Sequence, residues 1–164
     1  IANRTHLITK QDGGELAPYA QWILEQDEEH DLPCFDLIAT GVGGVLYPPH
    51  VFDEEVFDAD GIEATCLLAD DLWLLVHEAR LGIPVVNTTA SPGLCYVPGS
   101  QDEGLYIENL ENGRNDAILA ALFERYPEEK ETLYSAARDS VKTDESDGGL
   151  KRESILRRVL ARLR

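Results

Sequence analysis

Two neighbouring stretches decide how this chain is read: FDLIATGVGGVLYPP, residues 35–49, and LADDLWLLVHEARLGIP, residues 68–84. In the first, the apolar run at 35–40 predicts a short strand. Glycines at 41, 43 and 44 then predict a turn, since glycine tolerates positive φ, and Pro48-Pro49 stop any regular element. In the second, apolar residues at helical spacing over 67–81 predict a helix closed by Gly82 and Pro84. Residues 83–88 (IPVVNT) read as another strand. A strand, a glycine turn, a helix and a further strand in that order define an α/β chain.

Working outward, residues 1–9 (IANRTHLIT) read as a strand ended by the turn signal at 11–14. The expected small mixed sheet combines 1–9, 35–47 and 83–88, covered by the helix from about 70. Pro18-Tyr19 opens a short segment with Trp22, read as one or two helical turns. The acidic stretch 25–31 reads as a solvated loop, and 53–60 as the start of a helical turn. Residues 115–126 form an amphipathic helix with Asn115 as its N-cap. Pro127 ends that helix, and 128–140 supply another, so the C-terminal section is helical. Residues 89–112 are rich in Gly, Pro, Ser and Asn and read as a loop longer than most connections in a compact domain.

With 164 residues, 43% hydrophobic and 27% charged, the chain is long enough for one folded domain with a core. It carries 31 Asp+Glu against 14 Lys+Arg, a net charge of −17. That excess opposes binding to a phosphate backbone, so nucleic acid is excluded as a partner. Cys34, Cys66 and Cys95 are odd in number and form no CxxC, which predicts neither a disulfide framework nor a structural zinc site. No signal-peptide pattern and no apolar run of about 18 residues occurs. A cytoplasmic protein is expected.

The charge reverses near the end. Residues 1–142 form the main unit, 143–150 (DESDGG and its flanks) a flexible linker, and 151–164 a basic segment with six Lys+Arg and one acid, Glu153. Ile155, Leu156, Val159, Leu160 and Leu163 share one helical face. Such a basic amphipathic helix suits an anionic membrane surface, peripherally, or docking on the acidic body or a second copy.

Two constellations carry chemistry. Asp70-Asp71 stand at the head of the helix, where Asp serves as an N-cap and complements the helix dipole. A carboxylate held there also suits a general base acting on a hydroxyl. The loop 40–49 lacks the Lys-Ser/Thr of a P-loop and has Leu46 where a dinucleotide fingerprint has glycine. It is either a tight packing element or a place where backbone approaches a ligand. His30 and His77 read as idle and structural, whereas His6 and His50 are candidates to reach a phosphate or a metal. Tyr19, Trp22, Tyr47 and Trp73 are core residues by default, with sugar stacking as the alternative. No G-x-S-x-G occurs, and no Cys lies near a His in sequence.

The order of the motifs says more than any one of them. Arg4-Thr5-His6-Leu7, P-Y-x-x-W at 18–22, TGVGGVLYPP at 40–49, ADDLWL at 69–74 and GRND at 113–116 together resemble a family of bacterial GT-A-type glycosyltransferases of polysaccharide and cell-surface glycan biosynthesis. The likeness runs over residues 3–126. It implies a nucleotide-diphospho-sugar donor, a divalent metal (Mn or Mg) and a glycan hydroxyl as acceptor. Asp71 or Asp70 would be the catalytic base. Thr40, Gly41, Gly43, Gly44 and Tyr47, with Trp73 and Arg4, would line the sugar and acceptor pocket, and the metal ligands stay open, with His6 and His50 as candidates. The family's acidic metal motif (DDD or DxD) lies upstream of the R-x-H strand, and this chain starts after that point. The expectation is therefore the acceptor-side, C-terminal part of a catalytic domain, a piece of a longer protein that is inactive by itself. Its rivals are a non-catalytic glycan- or protein-binding module lacking the donor half, and a self-associating scaffold.

Overall fold

A computed structural model describes residues 1–25, 30–88, 97 and 107–139. The expected linker 143–150, the basic segment 151–164 and most of the loop 89–112 lie outside the described residues. The chain is mixed α/β. Its strands are β1 (Thr5–Leu7), β2 (Thr9–Lys10), β3 (His30–Cys34), β4 (Leu37–Ala39), β5 (Val85–Asn87) and β6 (Arg138–Asp139). Its α-helices are α1 (Ala59–Thr65), α2 (Asp70–Leu81), α3 (Arg114–Arg125) and α4 (Pro127–Ala136). Among the described residues no helix is long and apolar enough to cross a membrane.

The three segments expected to share one sheet lie instead in separate two-stranded sheets, because β5 pairs with β3 and not with β1 or β4. β1 runs antiparallel to β4, with His6 opposite Ile38, and β3 runs antiparallel to β5. Residue 2 joins these two ladders: the Ala2 amide donates to the Val86 carbonyl at 2.8 Å, and the Ala2 carbonyl receives the Thr88 amide at 3.0 Å. β2 pairs in parallel with β6.

Several boundaries differ from expectation. β3 occupies part of the stretch read as an acidic loop; its alternation is broken by Pro33, so the pattern gave no strand period. The strand at 35–40 stops at Ala39, because the turn starts as soon as glycine allows it. The acidic run at 53–60 resolves into a 3-10 turn, Glu54–Phe57, followed by α1. Asp53 and Asp58 are the caps, accepting the Glu55 and Gly61 amides at 3.2 Å each. α3 is preceded by Gly113 at φ 72, so Asn115 is a buried first-turn residue and not the N-cap.

Helix α2 is central. Leu72, Trp73, Leu75, Val76, His77 and Glu78 are all buried on it, which is more than one apolar stripe and marks a helix covered on several sides. Its core neighbours are Ile8 and Ile38 from the strands, Leu119, Leu122 and Tyr126 around α3, and Leu133 on α4. Gly82 at φ 64 closes the helix in the left-handed conformation that favours glycine. This packing fixes the head of α2, and with it Asp70 and Asp71, against the glycine turn that follows β4.

Candidate active site

Asp71 lies in the first turn of α2, yet it does not cap its own helix. The N-cap is Ala69, without a side-chain bond. Instead Asp71 Oδ1 accepts the backbone N–H of Gly41 at 2.8 Å, which ties the ADD motif to the glycine loop across thirty positions of sequence. A Cβ on residue 41 would stand 3.2 Å from that same oxygen, so glycine leaves the carboxylate room. Burial pushes the Asp71 carboxyl up from its ordinary range; the Gly41 amide pulls it down, Asp70 pushes it up, and Arg4 pulls it down. Asp70 beside it is exposed.

Arg4 comes to the site from the residue before β1. Its Nη1 donates to Thr40 Oγ1 at 3.0 Å and its Nη2 to Glu25 Oε1 at 3.1 Å. The Arg4 carbonyl in turn accepts the Thr40 amide at 3.0 Å. Glu25 adopts φ 53, an uncommon conformation for a residue with a side chain, at this contact. The loop 41–46 is strapped to the first three residues. Asn3 Nδ2 donates to the Gly43 carbonyl at 3.0 Å, and the Leu46 amide donates to the Ile1 carbonyl at 2.8 Å. Gly43 and Gly44 sit at φ 110 and 95, which explains glycine at both places.

Tyr47 closes the far end of the loop. Its hydroxyl donates to Glu78 Oε1 at 2.9 Å, and its ring packs on Phe52 with centroids 5.0 Å apart. Tyr19 enters from the other side, buried between His6 and Trp22. Burial first, then the Asp71 charge, push its phenol up to about 12. The Tyr19 amide donates to Asp116 Oδ1 at 2.8 Å, so P-Y-x-x-W and GRND are joined by one hydrogen bond.

The structure thus brings Arg4, Thr40, Gly41, Gly43, Gly44, Tyr47, Asp70 and Asp71 to one surface. Trp73 is not among them: it is 3% exposed, donates its indole N–H to the Val56 carbonyl at 2.9 Å, and packs on His77 and Tyr126 in the core. His6 is buried beside the site. Its Nδ1 lies 2.9 Å from the Glu25 amide nitrogen and 3.0 Å from the Thr5 carbonyl oxygen, the partner depending on which ring nitrogen holds the proton. Burial, helped by Arg4, pulls it down to about 3. His50 is exposed on a turn at φ 61. Neither histidine joins a ligand set: among the described residues no three His, Cys, Asp or Glu side chains gather to hold a metal ion.

Glu25 and Glu78 frame the site without having been singled out by sequence, whereas Tyr19 and Asp116 belong to the P-Y-x-x-W and GRND motifs. For Glu78 a signal existed, because it falls seven residues after Asp71 on the same helix face, inside an apolar stripe. No family model matches the chain, and neither a curated protein nor a solved structure matches it.

Proposed function

We propose that this chain is the acceptor-side part of a glycosyltransferase that moves a sugar from a nucleotide-diphospho-sugar to a glycan hydroxyl, with Asp71 as the general base. One observation carries the reading: the Asp71 carboxylate is held by the Gly41 amide, which fixes one oxygen and leaves the other to receive a proton. A base fixed in this way needs no reorganisation when the acceptor hydroxyl arrives. Its raised proton affinity, from burial, brings it closer to that of an effective base near neutral pH. As the acceptor oxygen bonds to the anomeric carbon, its proton passes to Asp71 and the bond to the diphosphate breaks. The neighbouring Asp70 raises the proton affinity of Asp71 further.

Arg4, oriented by Thr40 and Glu25, supplies a cation whose charge acts on Asp71. The glycine loop offers a surface without side chains at 41, 43 and 44, where a sugar hydroxyl can approach backbone. A divalent metal for the leaving diphosphate belongs to the same proposal as part of the donor side, outside the residues described. The test is sugar transfer by the protein as its source makes it. Nucleotide-diphospho-sugars are offered one by one with a glycan acceptor, and a mass gain of one sugar on the glycan is sought. Transfer from at least one donor is the expected result, and glycan binding without transfer from any donor would replace the enzyme with a binding module.

A further inference from the structure

Glu78 is buried, 4% exposed. The small cavity beside it is lined by Cys34, Phe35, Leu37, Leu75 and Leu133. A carboxyl in such a place costs stability that an apolar residue would not. Folding therefore gives no reason for an acid at this position. Among the described residues its side-chain partner is Tyr47, whose hydroxyl donates to Oε1 at 2.9 Å.

Position 78 follows position 71 by two helical turns, so both carboxylates leave α2 on one face. The first holds residue 41 through its amide, and the second holds residue 47 through its side chain. Between these two grips the loop is bonded to residues 1–3 and to nothing else on α2 among the described hydrogen bonds. The loop and its strap thus form one piece, and α2 fastens that piece at both ends. Without the Tyr47 grip α2 would hold the loop at Gly41 alone, the strap being anchored away from α2 through Ala2 on Val86 and Thr88.

We infer that Glu78 is a positioning residue: by holding Tyr47 it fixes the glycine loop on α2, and so keeps the Gly41 amide on the Asp71 carboxylate. Its significance for sugar transfer rests on the proposed role of Asp71, while the geometry it asserts stands apart from any activity.

The experiment uses Tyr47→Phe in the 164-residue chain, which removes the hydroxyl and leaves the ring against Phe52. Amide exchange at Gly41 and the titration of the Asp71 side-chain carboxyl carbon are followed by NMR. We expect exchange at Gly41 to rise at least threefold. The Asp71 midpoint moves up, because the amide bond that favours its ionised form is weakened. Glu78→Ala repeats both effects, and Glu78→Gln, which keeps an acceptor for the Tyr47 hydroxyl, restores the wild-type exchange rate. A Gly41 amide and an Asp71 midpoint unchanged in Tyr47→Phe, with α2 amides still protected, would overturn the inference, since a purely local bond would behave so. Neither readout involves a sugar, so failure of the glycosyltransferase reading would leave both results as they are.

Discussion

Replacing Glu78 by Gln should change how stability depends on pH, and the size of the change follows from where the carboxyl sits. Burial holds Glu78 up at about 7 against an ordinary 4.5; the Tyr47 hydroxyl and the Ile1 ammonium pull it down, and the Asp71 charge pushes it up. Between these two values the folded chain keeps a proton that the unfolded chain has released. Stability therefore falls as pH rises through that window, by about 1.4 kcal/mol per pH unit and about 3 kcal/mol in all. Below 4.5 both states are protonated and the loss is absent.

Gln cannot titrate, so the loss disappears in the variant. His6 has the opposite sign: its folded value near 3 makes stability fall as pH drops below 6.5. That contribution is common to both proteins and cancels in their difference. Urea unfolding at pH 4.5 and pH 8, followed by far-UV circular dichroism, measures the effect, with equal slopes as the check on two-state behaviour. The difference between variant and wild type should swing by about 3 kcal/mol toward Gln on going to pH 8. A swing below about 1 kcal/mol would refute the reasoning, because it would mean that Glu78 is ionised as easily folded as unfolded.

Two further substitutions test other parts of the fold. His77 is 0% exposed, and among the described residues neither ring nitrogen has a hydrogen-bond partner, although Trp73 and Tyr126 pack on the ring. His77→Leu should stabilise the chain by about 1 kcal/mol at pH 7, the gain from removing unpaired polar atoms exceeding the lost ring contacts. Its advantage should widen as pH falls below 6.5, since burial opposes protonation of His77 in the folded state; thermal melts at pH 7 and pH 5 read both effects. Gly43→Ala should cost about 2 kcal/mol, because φ 110 is strained for any side chain and a Cβ there would stand 3.2 Å from Cβ of Arg4. Equal melting temperatures for Gly43→Ala and wild type would contradict that account.

The parts of the fold that could be read from residues are those where one local rule acts without competition. Helix α2 is an example, since its apolar spacing and Gly82 define its body and its end. Strand β5 and the turn at 41–44 were legible for the same reason. β3 was not, because its five residues include an acid and a proline and owe their extended form to pairing with β5, a partner distant in sequence (His30 with Asn87, Cys34 with Val85). The caps were misread where two residues of suitable type compete: Asn115 lost to Gly113, whose positive φ sets the helix entry. Within the site, Asp71, Arg4 and the glycines were legible as motif residues. Glu78 was not singled out, since its place comes from burial on α2 and from its bond to Tyr47 and not from a motif. Trp73 shows the converse: it sits inside a motif, and the helix turns it into the core.

The most direct test of the account is Asp71→Asn in the protein as its source makes it, with sugar transfer and glycan binding measured side by side. Asn keeps an oxygen to accept the Gly41 amide but cannot take a proton. The account predicts that kcat falls by about a hundredfold or more, the usual contribution of a general base, while glycan affinity stays within about threefold. Transfer at the wild-type rate by the variant would contradict it and remove Asp71 from the chemistry.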